Sequence, residues 1–301
     1  MKKKTLYSLL AATMMAAGTA LTSCGVENPL DEEQYVKKVS IVGAYNTIQT
    51  KTVNYAGDGS IFTSVSIGGS LPPETNVDVT LGLADPENLA TYNRKNVLPG
   101  EIKYQDLPEA WYQVDNWITT IKAGEIYARF PIKLDVSKIE ADSLYVIPLE
   151  IKSVSAYEKV TENTVLLLNF KMINNFSGNY NYTGTKMKLV DGVPDENSTS
   201  KVSATRTLTA INAQTVRLYK ENTVQKRENL EATAYTMTVN SDNSVTIKPW
   251  KDLTITDGGG TFDPEKHAFK IWYDTNEGGT AYRTEATIEI GETGVLDAEQ
   301  K

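Results

Sequence analysis

The chain has 301 residues, a net charge of −8 and a hydrophobic content of 40%. That length suits two domains, and the acidity argues against nucleic acid or anionic lipid surfaces as partners. A single cysteine and a single histidine exclude a disulfide framework and a zinc site built from several His or Cys ligands.

Lys2, Lys3 and Lys4 precede a short apolar run from Leu6 to Leu21, and Thr22-Ser23-Cys24 follows. The run is too short for a stable span, so residues 1–23 read as a removable signal peptide. Leu at −3 and Cys at +1 form a lipobox, whereas conventional cleavage wants small residues at both −1 and −3. Cys24 is therefore predicted to carry a lipid. This anchors the mature chain to a membrane by its N-terminus and leaves no free thiol. Loss of the three leader lysines takes the net charge from −8 to −11. Residues 24–34 are polar and acidic and read as a tether. No second apolar stretch approaches the ~20 residues of a spanning helix.

From Val36 onward the chain alternates with period 2. Strands are predicted at 36–42, 61–67 and 76–83, the last with Val77, Val79, Leu81 and Leu83 on one face. Asp85-Pro86-Glu87 predicts a short helix, with Asp85 as N-cap and Pro86 at N1, that stops near Asn93 or Arg94. A connecting segment holds Trp111, Tyr112 and Trp117. Strands are then predicted at 127–134, 144–151 and 164–172, where Pro131 and Pro148 suggest edges or bulges. The seam falls near Asn174-Asn175, which gives an N-terminal domain at 35–173, a C-terminal domain at 174–292 and a tail at 293–301. In the second half, strands are predicted at 186–190, 203–211, 215–219, 232–239, 244–249, 268–273 and 282–290. Turns are predicted at Asn240 to Asn243, Asp257 to Gly260 and Asn276 to Gly279. Antiparallel strands with short turns predict a closed or nearly closed barrel or a sandwich.

Tyr92-Asn93, Tyr104 with Leu107-Pro108, Thr120 to Glu125 and Tyr145 to Ile151 occur in order. On these segments the first half resembles a domain of unknown function carried by Bacteroidota lipoproteins, which also precedes some family-18 glycoside hydrolases. The half opening with Phe176-Ser177-Gly178-Asn179-Tyr180 resembles the lipocalin-like domain that follows it. The fold expected is all-β: an N-terminal β-sandwich (Ig-like) with one short helix, then a C-terminal antiparallel β-barrel (lipocalin-like). Glu27, Asp31, Glu32 and Glu33 resemble the acidic export signal of surface lipoproteins in the same phylum. The location implied is the outer membrane, exposed at the cell surface, with a periplasm-facing anchor as the alternative. The resemblance further implies a polysaccharide-utilisation system working beside an outer-membrane glycan importer.

Catalytic motifs are missing. There is no G-x-S-x-G elbow to use His267, no phosphate loop, and no D-x-[DN]-x-[DN]-G loop around Asp191, Asp195 and Glu196. The family-18 acidic signature is missing too. The chain is therefore expected to be no enzyme and to need no cofactor or metal. Glycan binding is the positive expectation, because sugar rings stack on aromatic side chains beside amides and carboxylates. The candidates are Trp111, Tyr112 and Trp117 in the connecting segment, Trp250 at a strand end, and Trp272 opposite the predicted core face of its strand. The alternative for the first three is that they plug the sandwich. The function expected is non-catalytic glycan capture at the cell surface. A structural, assembly or adhesin-like role that docks on partner proteins is the alternative.

Overall fold

A computed structural model describes residues 32–290. The signal peptide, Cys24, most of the tether and the tail lie outside the described residues. The first half holds strands β1 (Lys38–Ile41), β2 (Ile48–Asn54), β3 (Ser60–Gly68) and β4 (Val77–Leu83), then helix α1 (Pro86–Asn96). It continues with β5 (Tyr104–Asp106), β6 (Tyr112–Gln113), β7 (Ile118–Ile121), β8 (Tyr127–Leu134), β9 (Leu144–Val154), β10 (Glu158–Lys159) and β11 (Val165–Ile173). Two sheets result, in the orders β10-β1-β3-β8-β6 and β2-β11-β9-β4-β7, with β5 added to β9. Three pairs are parallel: β1 with β10, β2 with β11 and β5 with β9. Between the sheets lies an aliphatic core in which Val65, Val77, Val79, Ile121, Phe130, Leu149, Leu166 and Leu168 are fully buried. β9 and β11 are buried on both faces, so they read as continuous apolar runs rather than as alternation.

Asp85 caps α1 as expected: its carboxylate accepts from Glu87 N at 2.8 Å, and Pro86 fills the first turn. The helix runs to Asn96, past the predicted stop. Leu89 packs on Val146 and Leu167. The Asn93 side chain and the Tyr104 main chain exchange two hydrogen bonds at 2.8 and 3.0 Å, and Tyr92 stacks edge-on against Tyr104. The Tyr92-Asn93 and Tyr104 motif is therefore a clamp of helix onto sheet.

Pro131 sits on β8, whose outer neighbour β6 has two residues, so it is close to an edge. Pro148 corrects the edge expectation, because β9 lies between β11 and β4. Its carbonyl accepts from Ala84 N, so its missing N–H faces the same side. There the partner changes from β5, paired through Val146, to β4, paired from Leu149. The proline occupies that break in the ladder.

The second half is a closed barrel of β12 (Gly178–Val190), β13 (Val193–Ala210), β14 (Thr215–Tyr219), β15 (Ala234–Val239), β16 (Ser244–Pro249), β17 (Ile255–Asp263), β18 (Ala268–Glu277) and β19 (Thr280–Glu289). A short helical segment, α2 (Leu230–Thr233), enters β15. Asp191-Gly192 turns β12 into β13, so the separate strands predicted at 186–190 and 203–211 are parts of one long hairpin. Gly258, Gly259 and Gly260 form no turn and lie inside β17. A Cβ on Gly260 would come 2.3 Å from the Lys270 carbonyl, so glycine here allows the close approach of β17 to β18. Asn276 to Gly279 is a turn as predicted, with Gly278 and Gly279 at positive φ.

The seam is tight. Asn174 is fully buried, and its amide donates to the carbonyls of Asn212 (2.7 Å) and Thr215 (3.0 Å). Its side-chain oxygen accepts from Phe176 N, and its main chain exchanges hydrogen bonds with Ser177. His267 reaches the same joint, its Nε2 donating to the Asn175 carbonyl at 3.0 Å.

Candidate functional site

The five aromatic candidates lie in three places, and all are half-buried. Trp111, Tyr112 and Trp117 pack against the sandwich core. Trp111 stacks edge-on with Tyr145 at 5.6 Å, and Trp117 lies on Phe130 at 5.7 Å. A shallow cavity beside Trp111 and Tyr112 has a volume of ≈ 280 Å³. Burial beside Glu109 and Asp106 pushes the Tyr112 hydroxyl pKa up. Trp272 is on the outer wall of the barrel. The Arg283 guanidinium covers it at 4.4 Å and is itself held by Asp274 through two hydrogen bonds of 2.8 Å.

Trp250 occupies a different setting. It borders a groove of ≈ 900 Å³ between the two domains. The sandwich contributes Gly100 and Ile102, from the chain after α1, and Asp142, from the connection into β9. From the barrel come Arg217 and Tyr219 of β14, the segment around α2, and Trp250 to Asp252 after β16. Arg217 is the hinge of this arrangement. Its guanidinium makes a two-pronged pair with Asp142, at 2.5 and 2.7 Å, across the domain boundary. It also stacks on the Trp250 ring at 4.6 Å. A planar guanidinium can serve a carboxylate and an aromatic face at once. The Tyr219 hydroxyl donates to the Lys226 carbonyl at 2.9 Å, and the Trp250 main chain donates to Ala234, which fixes the wall. Lys251 pairs with Glu231 along the rim, and Arg227, Glu228 and Asp252 complete a polar lining. The groove thus brings an indole stacked by a guanidinium and a phenol together with charged groups of both signs. Sequence reasoning found Trp250 and missed Arg217 and Asp142, which are 75 residues apart in the chain.

A second interdomain cavity of ≈ 370 Å³ shares the connection that carries Asp142. It is lined by Ile139, Leu144, Phe170, Leu208 and Ala210 among others. Among the described residues no cluster of His, Cys, Asp and Glu is arranged to hold a metal. No described helix is long and apolar enough to cross a membrane.

Comparison with known proteins places this geometry. A chain from Bacteroides ovatus described as of unknown function superposes with a TM-score of 0.63 at 15% identity, over 87% of this chain and 98% of its own. A multidomain protein including DUF1735 from the same organism gives 0.59 at 17% identity, over 85% and 94%. A protein from Bacteroides thetaiotaomicron described as an auxiliary nutrient binding protein gives 0.54 at 18% identity, over 81% and 91%. These likenesses show a shared fold across both domains. No curated protein matches the chain in sequence. A family model described as an N-terminal domain matches residues 32–158, and one described as C-terminal matches residues 164–289. The chain belongs to the two-domain family that this pair of models describes.

Proposed function

We propose that this protein is a non-catalytic, lipid-anchored glycan-binding protein and that the groove between its domains is the binding site. The observation that carries the reading is the Asp142–Arg217–Trp250 stack on the wall of a groove of ≈ 900 Å³. A ring held rigid by a stacked guanidinium offers its remaining surface to a sugar at little cost in side-chain entropy. The polar rim supplies partners for hydroxyl groups. The description of one structural relative as an auxiliary nutrient binding protein supports the same reading. Trp111, Tyr112 and Trp117 serve the sandwich core in this proposal, and Trp272 serves the barrel wall.

Anchoring through Cys24, display on the outer membrane and partnership with a glycan importer are parts of the proposal that rest on the leader and the tether. A glycan array on residues 25–301, followed by calorimetry on any hit, tests the binding. Loss of binding by Trp250→Ala, with retention by Trp272→Ala, is the expected result. No binding across host and plant glycans would overturn it. Lipid labelling lost on Cys24→Ala, and protease access on intact cells, test the address.

Docking on a protein partner is favoured by one observation. The β12–β13 hairpin projects Val190 and Val193 at its tip, 57% and 65% exposed. Capture of a membrane partner that is lost on Val190→Ser/Val193→Ser would establish that role.

A further inference from the structure

The barrel interior contains a charge without a counter-charge. Arg206 points inward from β13 and is 4% exposed. Its described hydrogen-bond acceptors are two main-chain carbonyls, of Thr205 at 3.3 Å and of Glu221. Its Nε has no hydrogen-bond partner, and neither does the buried Thr275 hydroxyl. None of its described partners is a carboxylate. Buried guanidinium groups are normally paired with an anion, because desolvation of a charge is costly. Around Arg206 stand the hydroxyls of Tyr182 and Tyr273, 3.3 Å apart, with the Tyr235 ring 4.9 Å from that of Tyr273.

Above this cluster a strap, residues 220–229, crosses the gap where β13 and β14 part. Those two strands pair only at Thr209 and Ala210. The strap sends Glu221 inward. Its carboxylate accepts from Lys186 at 3.2 Å and from the Thr284 hydroxyl at 3.1 Å. Lys186 and Lys220 both pair with Glu277 alongside. Lys186 and Lys220 thus share the carboxylates of Glu221 and Glu277, and Arg206 takes part in neither pair. Glu221 is held at φ 46, a left-handed conformation unfavourable to a side chain of this size. The rest of the strap is held by polar contacts: Asn222 accepts from Ser203 N, and Gln225 accepts from Thr207 N, each at 3.0 Å. Its one large apolar residue, Val224, is 60% exposed. Lifting the strap therefore uncovers little apolar surface.

We infer that the barrel mouth beneath the 220–229 strap is a binding site for a small carboxylate ligand. Glu221 holds the site in the empty state, and Arg206, Lys186 and Thr284 receive the ligand. A ligand carboxylate would take the Lys186 and Thr284 donors now used by Glu221 and would bring the missing anion to Arg206. The carboxylate comes either from a sugar acid or from an aliphatic acid. Neither Arg206 nor Glu221 lines the interdomain groove, which the strap meets only at its other end, through Arg227 and Glu228.

The test is calorimetry on residues 25–301 with galacturonate and glucuronate in one series and hexanoate and octanoate in the other. Galactose and hexanol are the neutral controls. Wild-type protein is expected to bind one series and neither control. The responding series names the source. Glu221→Ala is expected to bind that series at least about tenfold more tightly, and Arg206→Met to lose it. Lys186→Met, which keeps Arg206, is expected to weaken it at least about fivefold. Near-ultraviolet circular dichroism establishes that each variant is folded. No binding by the wild type would overturn the inference. So would binding by Glu221→Ala alone, which would mark an engineered cavity, or wild-type affinity in a folded Arg206→Met.

Discussion

The sandwich and the barrel bury their interiors by different chemistry. Between the sandwich sheets the fully buried side chains are Val, Ile, Leu and Phe130, with Thr63 the one polar exception among the described residues of β3. Inside the barrel the largest are Tyr180, Tyr182, Tyr235, Tyr273 and Phe269, with Arg206 among them. An aliphatic interior is held by area and close packing and asks for no partner. An interior of phenols and a guanidinium is held only as far as its polar atoms find partners, and the Arg206 Nε and the Thr275 hydroxyl have none. The sandwich therefore behaves as a support and the barrel as the half whose interior can respond to a ligand.

The largest expected effect sharpens that contrast. Phe130→Ala in the sandwich should cost about 3–5 kcal/mol, since Phe130 is fully buried and Trp117 leans on it. Urea denaturation measures it, and a loss below 1 kcal/mol would mean that this core is loosely packed. Next comes the joint. Asp142→Ala removes the partner of Arg217, whose side chain is 7% exposed, while Asp142 itself is 42% exposed. Solvent at Asp142 moderates the loss to about 1–2 kcal/mol, below the range for a fully buried pair. The same variant should release the Arg217 stack and weaken any groove ligand. Smaller again is Arg206→Met. Loss of an unmatched buried charge offsets the loss of its two carbonyl contacts, so stability should change by less than about 1 kcal/mol. A loss above 3 kcal/mol would show the guanidinium to be a structural keystone, and the contrast with the sandwich would fall.

The smallest effect is read with pH. Burial pushes the Tyr182 hydroxyl up to about 12, and burial holds those of Tyr235 and Tyr273 well above their ordinary value. A group whose pKa is raised on folding contributes stability that is complete below its unfolded value near 10. That contribution is lost as pH rises through the folded value. Absorbance at 295 nm should therefore show exposed tyrosines ionising first and these three only as the barrel opens. Early ionisation of these three together with the exposed tyrosines would refute the closed interior. At the mouth, burial raises the Glu277 carboxyl, yet hydrogen bonds from Lys186 and Lys220 outweigh it and leave the pKa lowered. That part of the barrel's stability is present above the usual carboxylate range and fades in acid.

Local chemistry was legible in the sequence; chemistry made by distant residues was not. Asp85-Pro86 announced its helix because a cap acts over three residues. The Asn276 to Gly279 turn was legible for the same reason. Gly258 to Gly260 misled because a glycine run signals a turn equally well when its purpose is close strand packing, which only the fold reveals. The upper part of the long hairpin, residues 191–200, carries hardly any apolar alternation, so its pairing with β12 left little trace. The helical turn at 227–233 is too short to show periodicity. In the groove, Trp250 drew notice as an aromatic at a strand end, but Arg217 and Asp142 look like ordinary surface charges until the domains meet. Arg206 had no signal at all, since arginine on a strand is usually a solvated residue.

The saturated hydrogen bonding of Asn174 leaves no slack between the halves. Four residues separate β11 from β12, and the first of them is bonded to the β14 side of the barrel. A calorimeter should accordingly record one heat-absorption peak for the whole protein, with equal calorimetric and van't Hoff enthalpies. The family's two modules would then melt as a single cooperative body, and neither could be exchanged in a chimera without its partner's share of this joint.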